Sequence, residues 1–323
     1  MTPELPPGLR AAIDRELAGA SRRDLAERTA ATTAAYRAGR GSSAVIKGRD
    51  DALAYALARL PATYAACASV FDEALDRAPG FAPATLLDAG CGPGGGSWAA
   101  AEAWPSLNRI VWFDASAPFL DMAKRLAEDA PAAVRGASVQ RGDLTAGPFA
   151  QADLVLASYA LAEIAPAAQA ALVGRLWDAC DGVLALVEPG TPAGYARILA
   201  ARDTLIAAGA GIVAPCPHEA ACPLNAPDWC HFSVRLPRSR DHRLAKGAEV
   251  PFEDEKFAYL LAARPAVTAQ AAMARILARP RAGKPGIEFK LCGAEGLEAR
   301  FVAKRDKPAH AKARRLDWGE AWP

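Results

Sequence analysis

The stretch LLDAGCGPGGGSWAAA, residues 86–101, places a glycine-rich loop directly after an apolar run and before a helical one. Glycines let a chain turn sharply and let its backbone approach a ligand closely. A loop of this kind at a strand-to-helix junction therefore constrains both fold and chemistry. The residues that follow repeat the alternation. Short apolar runs TLLDAG, RIVWFDAS, ASVQRGDL, ADLVLASY and GVLALVEPG alternate with SWAAAEAWPS, PFLDMAKRLAEDA and PAAQAALVGRLWDA. Strands alternating with helices imply βαβ units and a parallel sheet covered on both faces, an α/β class.

Gly90, Gly92 and Gly95 formally match the dinucleotide fingerprint G-x-G-x-x-G, a weak signal alone. Asp88 precedes them, giving D-x-G-x-G-x-G through Gly90, Gly92 and Gly94, which resembles motif I of class I methyltransferases. A carboxylate there suits the cationic methionine end of S-adenosylmethionine and would repel the pyrophosphate of NAD. Asp114 closes the next strand, where it can accept from ribose hydroxyls. Asp143 follows the third strand at the acidic position that methyltransferases use near adenine. The cofactor expectation is S-adenosylmethionine. No catalytic residue is assigned. The loop after the fourth strand, Ala157–Ile164, lacks the N/D-P-P-Y/F motif of amino methylation and the thiol of cytosine-C5 methylation. Tyr159 and Glu163 there read as packing or capping groups.

Residues 1–80 read as helices, with Ser21 as an N-cap, Gly39 and Gly41 as a terminator and Pro61 as an interruption. The expected organisation is this helical region, a Rossmann-like core over 81–210, a cysteine-rich insertion over 211–265, and strands over 266–323 that complete the sheet and end in a basic tail. GIEFKLC and LEARFVAKR flank the turn-like GAEG as a hairpin would, and the final residues look irregular. No run of about 18 strongly apolar residues occurs, so a membrane span is not expected. The opening MTPELPPGLRAAIDREL lacks a basic head followed by an apolar stretch, so a secretory signal is not expected either. A cytoplasmic location with reduced thiols is the reading, and a monomer the working assumption.

The segment PCPHEAACPLNAPDWC, residues 215–230, holds three of the seven cysteines. Cys216, Cys222 and Cys230 lack the C-x2-C or C-x4-C hairpins of zinc fingers, and Cys292 in FKLCG is the remaining downstream thiol. Irregular spacing with one remote ligand suits an iron–sulfur cluster, with zinc left open. Cys67, Cys91 and Cys180 are explained by burial in a helix, the glycine loop and an apolar helix. His218 and His231 read as hydrogen-bond donors beside the thiols.

Residues 211–323 carry 19 Lys and Arg against 13 Asp and Glu. A basic region suggests an anionic partner. Arg235, Arg238, Arg240, Arg243 and Lys246 lie in one short segment, and Lys304 and Arg305 belong to a basic tail. These are the expected RNA contacts.

The blocks DWCHFS and EDEKF, with LLDAGCGPG upstream and LCGAEG near the end, resemble the Rsm-type family of small-subunit ribosome assembly factors, mitochondrial methyltransferase-like proteins and their bacterial relatives. The resemblance implies a class I methyltransferase fold, bound S-adenosylmethionine, a [4Fe-4S] cluster on Cys216, Cys222, Cys230 and Cys292, and association with small-subunit ribosomal RNA. Three functions compete: a ribosomal-RNA methyltransferase, a non-catalytic RNA-binding assembly factor, and a small-molecule methyltransferase with a structural zinc.

Overall fold

The structure, a computed structural model, describes residues 3–323. Four helices open it: α1 (Pro7–Glu16), α2 (Arg22–Arg37), α3 (Arg49–Ala58) and α4 (Leu60–Arg77). The Ser21 hydroxyl accepts from the Asp24 N–H and caps α2, while Gly39 follows its end at φ +70°. Pro61 stands in the first turn of α4, where its missing N–H costs nothing. It starts that helix after a break at Arg59 rather than kinking one continuous helix.

The core then alternates β1 (Thr85–Ala89), α5 (Gly95–Ala103), β2 (Arg109–Asp114), α6 (Ala117–Leu126), α7 (Ala132–Arg135), β3 (Ser138–Arg141), β4 (Ala152–Ser158), α8 (Pro166–Asp178), β5 (Cys180–Pro189) and α9 (Pro192–Ala207). It continues into β6 (Gly211–Ala214), β7 (Phe232–Pro237), α10 (Arg240–Lys246) and β8 (Phe252–Ala263). The first sheet runs β3-β2-β1-β4-β5-β8-β6, with β7 paired to β8. β1 to β5 are parallel, and β8 is antiparallel to both β5 and β6. The order reverses between β1 and β4, the crevice where doubly wound sheets bind nucleotides. This is a Rossmann-like α/β fold of the methyltransferase kind. Its central strands are buried on both faces, as β4 and β5 illustrate, and covering helices supply the apolar partners.

The last strands depart from expectation. β9 (Ala274–Ile276), β10 (Arg281–Ala282), β11 (Gly286–Gly293), β12 (Gly296–Ala303) and β13 (Ala321–Trp322) form a separate five-stranded sheet, with α11 (Lys307–Ala313) packed on it. The strands that complete the first sheet come instead from the cysteine-rich stretch. The reason is local: β8 is a 12-residue strand whose second half, Phe257–Ala263, is buried throughout, so it takes the interior place beside β5. The β11–β12 hairpin forms as its turn residues imply. The final residues, expected to be irregular, hold α11, capped by Asp306, and β13. Cys180 opens β5 rather than lying in a helix. Among the described residues no helix is long and apolar enough to cross a membrane.

Candidate functional site

The glycine loop sits at the carboxyl end of β1. Gly90, Gly92 and Gly94 have φ of +77°, +53° and +87°, so a side chain at any of them would be strained. Gly94 caps α5, and Gly96, two residues on, lets that helix pack directly on Leu156 of β4. Asp88 is fully buried beneath the loop. One carboxylate oxygen accepts from the Ser97 hydroxyl at 2.7 Å, and that hydroxyl accepts from the Trp112 indole N–H at 3.0 Å. The other oxygen, Oδ1, is buried without a hydrogen-bond partner. Burial pushes the Asp88 carboxyl up to about 7, against the Ser97 hydrogen bond and with help from nearby Asp114.

Asp114, ending β2, braces the loop: one oxygen accepts from the Gly92 N–H and the other from the Ser116 N–H, both at 2.8 Å. Its carboxyl is also raised by burial. The structure thus brings Asp88, Gly90, Gly92, Gly94 and Asp114 together. Asp143 stands apart from them in its bonding, because one carboxylate oxygen is engaged by the N–H and hydroxyl of Thr145 in its own exposed turn.

The loop after β4 is closed over by the N-terminal helices. The Glu163 carboxylate accepts from the Tyr36 hydroxyl at 3.1 Å and the Ser42 hydroxyl at 2.7 Å. Tyr159 adopts φ +57° and donates to Glu255 of β8 at 2.8 Å. Glu188, at the end of β5, is buried against Arg197 at 2.6 Å and accepts from the Ala162 N–H, which fixes this loop to α9. Tyr159 and Glu163 therefore have bonded partners within the protein.

Cys216, Cys222, Cys230 and Cys292 line one cavity of about 40 Å³. Three come from the loop between β6 and β7 and the fourth from β11, where register sets it: Cys292 pairs with Arg275 of β9, and both project from the same sheet face. Helix α9 forms another wall through Tyr195, Ile198 and Arg202. The Tyr195 hydroxyl lies 3.1 Å from the Cys222 sulfur. Arg202 donates to the carbonyls of His218 and Ala220 at 2.7 and 2.9 Å, holding the cysteine loop, while its Nε is buried without a partner. The His218 imidazole Nε2 is 3.6 Å from the Cys292 sulfur. His231 turns away, stacked on Trp229 and edge-on to Trp318. Burial raises the thiols of Cys216, Cys230 and Cys292 above the ordinary range. Among the described residues, no three His, Cys, Asp or Glu side chains gather into a site for a single metal ion.

Sequence reasoning missed Arg202 and Arg275. Arg202 carried a signal, a lone cation on the α9 stripe of Ile198, Ala201 and Leu205. Arg275, between Ala274 and Ile276 in a three-residue strand, carried none.

Of the expected RNA contacts, three are neutralised within the protein. Arg235 pairs with Asp254 through two bonds, and Arg238 and Lys246 share Glu253. Arg243 reaches the Glu249 carbonyl. Lys304 and Arg305 are exposed at the end of β12, and Arg240 opens α10.

The family described as mitochondrial small ribosomal subunit Rsm22 matches residues 49–323. The chain belongs to the Rsm22 family. A relative is the human ribosome assembly protein METTL17, mitochondrial, 31% identical over 293 residues, covering 84% of this chain and 62% of that protein. The chain thus spans under two thirds of the length of this curated relative. Two solved structures also align. Magnesium protoporphyrin IX methyltransferase from Synechocystis with bound S-adenosylmethionine is 18% identical, with a TM-score of 0.42, covering 63% of this chain and 80% of that one. Precorrin-6y C5,15-methyltransferase from Geobacter metallireducens is 14% identical, with a TM-score of 0.40, covering 61% and 87%. The cytoplasmic location read from the sequence is overturned: the Rsm22 family and the human relative are both named mitochondrial.

Proposed function

We propose that this Rsm22-family chain binds S-adenosylmethionine at the glycine loop, holds a [4Fe-4S] cluster on Cys216, Cys222, Cys230 and Cys292, and acts on small-subunit ribosomal RNA during ribosome assembly. The family match over residues 49–323 carries the ribosomal part of the reading. For the cofactor, Gly90, Gly92 and Gly94 leave the loop backbone bare at three positions, Asp114 braces it, and the unpartnered oxygen of Asp88, buried beneath it, is an acceptor in need of a donor. For the cluster, the four thiols line one cavity with otherwise largely apolar walls, and their irregular spacing with one remote ligand suits an iron–sulfur cluster. Buried Arg202 and Arg275 line the same cavity, and their charge suits an anionic, thiolate-bound group. When bound, the cluster would supply a cross-link between the Rossmann-like sheet and the second sheet. The residues around it hold the cysteine loop in place.

A non-catalytic assembly factor is the second reading, favoured by the loop after β4. Its two polar side chains with catalytic potential, Tyr159 and Glu163, are both bonded internally, and the N-terminal helices cover it. Incubation of assembling small subunits with methyl-labelled S-adenosylmethionine separates the two. Label in ribosomal RNA supports the methyltransferase. Cofactor binding without label supports the assembly factor, and absence of cofactor binding refutes both. A brown, anaerobically purified protein with broad absorbance near 400 nm is expected for thiolate-bound iron (roughly), and a colourless zinc protein would overturn the cluster.

A further inference from the structure

One face of the second sheet has an unusual composition. In the β11–β12 ladder, Ile287, Phe289 and Leu291 share a face with Val302, Arg300 and Glu298. That face is packed by Ala313, Leu316 and Trp322. The opposite face carries Gly286, Glu288 and Lys290 from β11, and Leu297, Ala299, Phe301 and Ala303 from β12. Cys292 lies at one end of this face, towards the thiol cavity. Phe301, 54% exposed, lies towards the other.

The Phe301 ring lies across Gly286, where a Cβ would meet its Cζ at 2.7 Å. Glycine at 286 and alanine at 299 and 303 keep three of the positions around the ring short, while Glu288, directly opposite it, lies 4.0 Å from Arg281 on the next strand. The tip of the ring rests over Gly286 while about half of the residue stays open to solvent. Leaving an aromatic surface in water forfeits apolar burial unless something covers it. Cations frame it. The Lys304 N–H donates to the Pro285 carbonyl at 2.8 Å, which brings Lys304 next to Lys284. Lys284, Lys304 and Arg305 are exposed, and among the described residues none has an ion-pair partner. Arg281 is exposed across the row, with Glu288 between it and Phe301. An apolar partner protein would gain nothing from this cationic rim. A single-stranded nucleic acid uses both elements, with a base on the ring and phosphates on the rim.

We propose that Phe301, seated on Gly286, is a stacking platform for an unpaired RNA base, with Lys284, Lys304 and Arg305 receiving the adjoining phosphates. The proposal rests on the RNA reading above and names the form of RNA and the residue that meets it. The test is fluorescence anisotropy of the full chain with a labelled, unstructured 12-nucleotide RNA and with the same sequence as a duplex. F301A weakens single-strand binding about 5- to 100-fold and leaves the duplex unchanged. F301W retains binding, and the introduced indole is quenched by the RNA. K304E/R305E flattens the salt dependence of log K by about 1.4 in slope (two phosphates). Single-strand affinity unchanged in F301A, together with no quenching in F301W, overturns the platform while leaving the RNA reading intact. Affinity lost for small subunits but not for naked RNA assigns the face to a protein partner and also overturns it. A wild-type chain that binds neither RNA overturns the platform and the RNA reading together.

Discussion

Arg275 and Glu73 meet through two hydrogen bonds, 2.9 and 2.5 Å, that tie β9 of the second sheet to helix α4 of the N-terminal region. The same guanidinium donates to the carbonyls of Pro215, beside Cys216, and Gly319, near the C-terminus. At 1% exposure Arg275 has exchanged water for these partners, and removing it leaves a carboxylate and two carbonyls short of a donor. Arg275→Met is expected to cost about 3–5 kcal/mol in urea denaturation. E73Q/R275M should cost less than the two single changes summed, because either single change already breaks the same pair; Arg77, 3.1 Å from Glu73, loses its carboxylate partner in E73Q and in the double variant alike. Additive losses would mean that the two side chains act independently.

A second expectation concerns Asp88. Its carboxyl ionises at about 7 in the folded chain, against 3.8 ordinarily, with burial as the cause. Between these values the unfolded chain has already released its proton while the folded chain retains it. The contribution is therefore fully favourable below about pH 4 and falls as pH rises through 7. Asp88→Asn removes this fall and should be more stable than wild type at pH 7.5 by roughly 2–4 kcal/mol, relative to their difference at pH 4. Urea melts at both pH values measure the change. Parallel pH profiles for the two proteins would contradict it. If the pocket takes a cationic cofactor, wild-type affinity should also rise with pH through about 7, because the ionised carboxylate is the binding form.

Much of the first sheet was legible because its signals are local. TLLDAG and GVLALVEPG are apolar runs bounded by glycine, and Ser21 caps the helix it precedes. The second sheet was less legible. β9 has three residues and β10 two, too short for any period-two pattern, and their place depends on pairing with β11. The candidate site divides in the same way. Asp88, the glycines and Asp114 sit at fixed offsets from strand ends, so spacing alone pointed to them. Spacing could not bring Cys292 to the other three thiols, because that depends on its register against Arg275. Nor could composition reveal that Arg235, Arg238 and Lys246 spend their charge on Asp254 and Glu253. Net charge counts cations without asking what they face.

The bond between Glu163 and the N-terminal region makes a third expectation. Tyr36 and Ser42 approach one carboxylate from the end of α2 and the turn after it, and Gly41 lies against the same side chain. Glu163→Ala removes both hydrogen bonds at little cost to the buried core, so global stability should fall by only about 1 kcal/mol. Local opening should change more. Amide hydrogen exchange over residues 36–45 is expected to accelerate several-fold, with β1 and β4 unaffected. Equal protection in both proteins would show that this segment is held down without the polar contact.

The last expectation separates the four cavity thiols from the other three. Cys67, Cys91 and Cys180 are buried away from the cavity lining, whereas Cys216, Cys222, Cys230 and Cys292 all line it. If the lining set holds a cluster, Cys292→Ser removes the ligand that comes from the second sheet, and iron per chain should fall by more than half. Cys180→Ala, a small change at a strand start, should leave iron content unchanged. Chelation of the wild-type protein should then loosen the second sheet selectively, since the cross-link between β11 and the loop before β7 is lost while Arg275 still holds β9. Limited proteolysis would cut first between residues 264 and 323 in the chelated protein. Equal iron in C292S and wild type would break the assignment of Cys292 as a ligand.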